Sequence, residues 1–377
     1  MSKLATTRRA VIAGWVAFAA ILNARIAFAG AKPHPANIGG ETATTADKGF
    51  KGTFLGDRWI PSPKLASPEA QAFLQTLAGP DGRRPPLPQN YPPASDHAGW
   101  AALKRQVDAG IAASFADETA RLHARLETVE MAGVKVQLAT PEGGSQRPDC
   151  VYLDVHGGAL IYGEGEFCRF SARKQADNLK VKVYGVDYRN PPEHPYPAAL
   201  DDCVAVYGEL LKRYPATNII IGGGSAGGNL AAATILRARD EGLPLPAAAV
   251  LMTPEADLTE SGDSFAVTDG LDLTYPNGLM PINLLYANGH DLRHPYLSPL
   301  FGDFTKGFPP TFLQAGTRDF FLSNTVLMHR ALRRAGIQAE LHVFEAMPHG
   351  GFHGAPEDLE LAAEVARFVG EHWPAGK

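Results

Sequence analysis

The chain has 377 residues, 45% of them hydrophobic, with many interspersed glycines and prolines and a formal net charge of −5. This length suits one large α/β domain with an appended cap, or two domains, and the composition is that of a soluble globular enzyme. With no basic bias, nucleic acid is excluded as an expected partner. The three cysteines, Cys150, Cys168 and Cys203, lack metal-ligand spacing and cannot all pair internally. Buried free thiols are therefore expected, with one bridge as the lesser alternative.

The N-terminus differs from the rest. Lys3, Arg8 and Arg9 precede an apolar stretch over residues 10–22, and Ala27-Phe28-Ala29 offers a cleavage site. This is the layout of an export signal over residues 1–29, and the Arg8-Arg9 pair resembles a twin-arginine signal, so a periplasmic location is expected. The apolar stretch is shorter than the roughly 20 residues of a membrane span, so no stable span is expected after processing. Arg25 lies between the apolar core and the cleavage site, which keeps an uncleaved anchor as the alternative.

Residues 30–65 read as a loose lead-in, 68–77 as a short helix, and 79–93 as a proline-dense connector. Residues 100–128 place Leu103, Val107, Ile111, Phe115, Leu122 and Leu126 at helical spacing, predicting one or two amphipathic helices. From there strands and helices alternate. Strands are predicted at 134–138, 150–155, 182–186, 218–221, 247–252, 311–315 and 340–344. Helices fall at 169–179, 198–214, 229–239, 323–334 and 357–369. Such alternation predicts a mostly parallel central sheet with helices on both faces, and its chemistry beyond the carboxyl ends of the strands.

The most informative residues follow the apolar run 218–221. Gly223-Gly224-Ser225-Ala226-Gly227 fits G-x-S-x-G, which sets a serine on a sharp turn between a strand and a helix. Side chains two residues either side of the serine would collide, hence the glycines. A serine needs a base and a third group to orient that base. His349 and His353 lie in the loop after the strand ending at Phe344, at the correct sheet edge, whereas His342 lies inside that strand. His349, beside Gly350 and Gly351, is the expected base and His353 its rival. Asp319 follows the strand at 311–315 and precedes the histidine; Asp257 and Glu255, after the strand ending at Met252, compete for the acid's place. Oxyanion donors are expected from the backbone of Gly157, Gly158 and Ala159, after another strand, and from Ala226 next to the serine.

Together these residues resemble the hormone-sensitive-lipase-like esterases, the bacterial family IV branch of the α/β-hydrolases. The family's His-Gly-Gly-Gly is matched by His156-Gly157-Gly158-Ala159, and its Gly-Asp-Ser-Ala-Gly-Gly by residues 223–228. Asp187-Tyr188-Arg189, the run 192–202, the segment 296–300 and Met347-Pro348-His349-Gly350 are similar as well. The resemblance covers residues from about 134 to about 368. It implies an α/β-hydrolase fold with a helical cap, and the order Ser225, Asp319, His349 is the order that fold uses. It further implies a serine carboxylic-ester hydrolase acting on a small-molecule ester, with a lactonase or amidase on the same triad as the alternative. A ligand-binding receptor on this fold would be marked by a lost base, and here the base is present. No metal or cofactor is required by this chemistry.

The implied organisation is an export signal at 1–29, a loose segment and cap helices at 30–130, and the catalytic domain at 131–377 with a cap-like insertion near 257–296. Two departures from the family matter. Ala159 replaces a glycine, which leaves a donor but adds a methyl expected to narrow the site toward short acyl chains. Gly224 replaces the usual aspartate and removes a polar group from the elbow. Nothing in the sequence sets the oligomeric state.

Overall fold

The computed structural model describes residues 60–77, 91–272 and 278–374. The expected export signal, most of the lead-in and most of the proline-dense connector lie outside these residues.

Eight strands form one sheet: β1 (Arg125–Met131), β2 (Val134–Thr140), β3 (Val151–Val155), β4 (Lys182–Val186), β5 (Ile219–Gly224), β6 (Ala248–Met252), β7 (Thr311–Gly316) and β8 (Ala339–Phe344). Their order is β1-β2-β4-β3-β5-β6-β7-β8. The first two strands are antiparallel to their neighbours, and all pairs from β4 to β8 are parallel. Among the described residues the α-helices are α1 (Pro68–Thr76), α2 (His97–Ser114), α3 (Ala116–Thr119), α4 (Glu166–Leu179), α5 (Ala198–Leu211), α6 (Ala226–Asp240), α7 (Ser264–Val267), α8 (Met280–Ala287), α9 (Leu322–Arg334) and α10 (Pro356–His372).

The central strand shows why the sheet needs cover on both faces. Ile219 and Ile221 of β5 join the core that includes α5 and α6, while Ile220 joins the opposite core, which includes Ala172 and Ala176 of α4 and Phe368 of α10. Successive strand side chains point to opposite faces, so three consecutive β-branched residues demand two apolar layers. Burying each such side chain contributes about 1.5–3 kcal/mol.

One sequence expectation is corrected. Residues 100–128 are not helical throughout: α2 stops at Ser114, α3 is one short turn, and Leu126 belongs to β1. Met131 pairs with Val134 across Ala132 and Gly133, both at positive φ (52° and 79°), the geometry of a tight hairpin. Ala-Gly is a weaker hairpin signal than Asn-Gly, and Leu122 and Leu126 happen to fit a helical period. The sheet thus begins at Arg125, within the segment read as cap, rather than after residue 130. The loop before it is held from outside, where the Arg173 guanidinium donates to the carbonyls of Thr119, Leu122 and Ala124.

A third apolar cluster lies at the carboxyl edge. Trp100 and Val107 of α2 and Ile282 and Leu285 of α8 meet Ile161, Tyr162, Phe320 and Phe321 there. The three cysteines are buried and free. Among the described residues no helix is long and apolar enough to cross a membrane.

Candidate active site

Because β3 and β5 to β8 run parallel, the loops after them gather at one edge of the sheet. Ser225 caps the N-terminus of α6 with φ 58° and ψ −126°. A serine at positive φ is strained, and such strain persists only where surrounding packing over-determines it. Here the packing is explicit. A Cβ at Gly223 would lie 2.3 Å from the Val155 carbonyl oxygen, and one at Gly227 only 1.9 Å from the same atom. Two glycines therefore let the elbow press against the end of β3. Its backbone is tied to β6, with Ser225 N–H donating to the Met252 carbonyl at 2.9 Å and Glu255 N–H to the Ser225 carbonyl at 3.1 Å.

The side chains converge in a chain of contacts. His349 Nε2 lies 3.0 Å from Ser225 Oγ, and His349 Nδ1 lies 3.3 Å from Asp319 Oδ1. Asp319 is 1% exposed, and its Oδ1 also accepts the Phe321 N–H at 2.8 Å. The Asp319 and His349 loops can meet because residue 316 is glycine; a Cβ there would sit 1.8 Å from the Met347 carbonyl oxygen. Thr317 N–H donates to the Phe344 carbonyl and Ala346 N–H to the Thr317 hydroxyl, so the two loops form one bonded unit.

Burial alone would lower the His349 imidazole pKa, but the charge of Asp319, its hydrogen bond and the charge of Asp272 outweigh it and raise it above the ordinary value. Asp272 also accepts the His349 N–H at 3.3 Å and the Phe320 N–H at 2.8 Å. The Phe320 and Phe321 rings flank the imidazole at 4.9 and 5.1 Å.

The rival residues occupy other places. His353 sits against Phe73 and Phe115, with ring centroids at 5.1 and 6.4 Å. Burial there, with the nearby Lys174 charge, pushes its imidazole down to about 3. Asp257 is a turn residue, its carboxylate accepting from the hydroxyls of Thr259 and Ser261 at 2.6 and 2.5 Å. Glu255 is 1% exposed, behind the elbow, where burial and the Glu260 charge push its carboxyl well above the usual range.

The loop after β3 turns at Gly158, Ala159 and Leu160, with φ of 125°, 50° and 64°. Gly157 rests against the elbow, since a Cβ on it would lie 3.5 Å from Ser225 Cβ. The Ala226 N–H opens α6 and has no intrahelical acceptor. The Ala159 side chain packs against the cluster of Trp100, Ile161 and Phe320, so the methyl expected to narrow the site is engaged with that cluster. At Gly224 an added Cβ would meet only Met252, at 3.7 Å, an ordinary contact. The family's aspartate is absent there without a packing demand for glycine.

Sequence reasoning missed Thr253, the first residue after β6. Its hydroxyl donates to Asp319 Oδ2 and lies 3.0 Å from His349 Nδ1. It holds φ 41°, an outlier for a β-branched residue. A threonine after a strand carries no motif, so only the fold reveals it. A cavity of about 440 Å³ lies between α2, α3 and α4, lined by Phe115, Phe167, Phe170 and Arg173 among others, and none of Ser225, Asp319 and His349 lines it.

Comparisons with known proteins place the chain in a family. The α/β-hydrolase fold family profile matches residues 152–353. The chain is 35% identical over 218 residues to an acetyl-hydrolase of Streptomyces hygroscopicus, covering 57% of this chain and 73% of that one. It is 28% identical over 251 residues to an esterase of Acinetobacter venetianus, covering 65% and 82%. Among solved structures, esterase E25 is 36% identical with a TM-score of 0.76, covering 86% of this chain and 99% of its own. An esterase from the bacterial hormone-sensitive lipase family is 28% identical with a TM-score of 0.71, covering 82% and 99%. The chain belongs to the α/β-hydrolase fold family, in its branch of esterases similar to hormone-sensitive lipase.

Proposed function

We propose that the protein is a serine carboxylic-ester hydrolase that works through a covalent acyl-enzyme and favours short-chain acyl esters. The observation that carries this reading is the contact of His349 Nε2 with Ser225 Oγ at 3.0 Å, at a strained strand-helix elbow. The names of the relatives, esterase and acetyl-hydrolase, support the same class. In this reading His349 takes the Ser225 proton as Oγ attacks the ester carbonyl. Asp319 holds the imidazole in the tautomer with Nδ1–H and stabilises the imidazolium. The N–H groups of Gly157, Gly158, Ala159 and Ala226 receive the oxyanion. His349 then protonates the departing alcohol, and water deprotonated by the same imidazole releases the acid. The α2 and α8 cluster over Phe320 and Phe321 serves as the cap.

Thr253 is a positioning residue in this scheme. Its hydroxyl accepts from His349 Nδ1–H while donating to Asp319 Oδ2, so it bridges base and acid beside the longer 3.3 Å direct contact. Thr253→Val should lower kcat about 10- to 100-fold with little change in KM, since a hydrogen bond to a charged group is worth about 1.5–3 kcal/mol. Thr253→Ser should restore most of the rate. An unchanged kcat in Thr253→Val would remove the hydroxyl from the mechanism.

Acyl preference is tested by kcat/KM across p-nitrophenyl esters. The aromatic pair beside His349 and the cap above it favour chains of about two to six carbons, with each methylene worth at most about 1–3 kcal/mol. Turnover that climbs steadily past about ten carbons would make a lipase the better description.

A further inference from the structure

Behind the loop after β3 lies a group of side chains that ester hydrolysis does not use. One ring nitrogen of His156, the Cys168 thiol and a carboxylate oxygen of Asp187 lie within 4.8 Å of one another, and all three residues are buried. They come from three separate places: the residue after β3, the first turn of α4, and the residue after β4.

The His156 ring is fixed. It stacks on Tyr188 with centroids 4.1 Å apart at 8° and meets Phe167 edge-on at 6.3 Å. Nδ1 lies 2.7 Å from the Gly157 carbonyl oxygen and must carry the proton there. The neutral imidazole therefore keeps its lone pair on Nε2. Nε2 has no hydrogen-bond partner among the described residues, although His156 is only 1% exposed. An orphaned acceptor this deeply buried is costly and calls for an explanation.

Asp187 is oriented as a ligand would be. Oδ1 accepts the Gly165 N–H at 2.8 Å and Oδ2 accepts from Gln137 Nε2 at 3.1 Å, while Lys135 approaches from the solvent side at 3.8 Å. Each oxygen retains a further lone pair. Outer partners of this kind, on both the imidazole and the carboxylate, are what fix first ligands at metal sites.

We propose that His156, Cys168 and Asp187 bind one divalent cation of the zinc class. Imidazole nitrogen, thiolate and carboxylate form a zinc donor set, with a fourth position left for water. On binding, a metal–sulfur bond replaces the S–H bond of Cys168, and the proton leaves to solvent. Thiolate and carboxylate together balance the two positive charges, so the loaded cluster buries no net charge.

A cavity of about 190 Å³ is lined by Asp108, Glu164, Glu166 and Phe167 together with two alanines. Phe167 is the ring that meets His156, so this cavity is one side chain away from the cluster. Lys104 pairs with Glu164 and Arg169 with Glu166, which leaves three carboxylates facing two cations.

The test uses the full chain, stripped with a chelator and titrated with cobalt(II) and then zinc(II). We expect one ion per chain, a thiolate-to-cobalt charge-transfer band in the near ultraviolet, and its loss on adding zinc. Cys168→Ala should abolish the band and weaken zinc binding at least about tenfold, the lower bound for lesser disturbances of metal sites. Cys168→Ser serves the same purpose should the alanine variant fail to fold. A wild-type chain that gives no band, or a band that survives loss of the Cys168 thiol, overturns the assignment. These readouts do not depend on ester turnover, so they stand or fall apart from the proposed function.

Discussion

Ser225→Ala is expected to lower kcat/KM for a short-chain p-nitrophenyl ester by about four to six orders of magnitude, the loss typical of a nucleophile removed from a triad. Its thermal unfolding should stay within a few degrees of wild type. Among the described residues the Ser225 side chain makes one hydrogen bond, to His349, while the elbow itself rests on the backbone bonds to Met252, Glu255 and Asn229. Alanine meets the same positive φ and adds no atoms, so the strain is unchanged. Retention of a tenth of the activity in a folded variant would exclude Ser225 as nucleophile.

His349→Ala and His353→Ala should separate sharply. The first should cost about four orders of magnitude or more in kcat. The second should cost little, because His353 packs against Phe73 and Phe115 while His349 touches Ser225. The sign of the pH dependence follows from the same residue. A general base must be neutral, so activity is lost as pH falls through the His349 pKa. Asp319 and Asp272 raise that pKa against the effect of burial. The acid limb of kcat/KM should therefore lie above the ordinary imidazole value, not near the value of about 3 to which His353 is pushed. A limb well below the ordinary value, or a larger loss in His353→Ala, would assign the base elsewhere.

Local chemistry explains why much of the site was legible in the sequence. The elbow needs glycines at 223 and 227 because the backbone of β3 passes within van der Waals reach. That demand acts over a few residues, so it leaves a readable pattern around Ser225. The strands were legible for a related reason: β3, β5 and β7 are buried on both faces, which favours largely apolar runs, broken by Asp154 in β3 and by Thr311 and Gln314 in β7. Parallel strands then bring the loops after β5, β7 and β8 to one edge, and so the order of Ser225, Asp319 and His349 along the chain carried spatial meaning.

The tertiary structure decided what depends on pairing between distant segments. β1 is recognisable as a strand by its pairing with β2, since Leu122 and Leu126 satisfy a helical period equally well. Which of His349 and His353, four residues apart, faces Ser225 turns on which way one loop packs, and Gly316 and Thr317 on another strand end hold that packing. Thr253, Asp272 and Gln137 carry no local signature, because a single hydroxyl, carboxylate or amide is ordinary until a partner 50 or more residues away gives it a role. The meeting of His156, Cys168 and Asp187 follows the same logic, although His156 and Asp187 each stand in a family motif of their own. Their spacing along the chain resembles no ligand motif, and their meeting is a product of strand order. Composition and periodicity report each residue's immediate neighbours, whereas hydrogen bonds and donor clusters report contacts that exist only after the sheet has assembled.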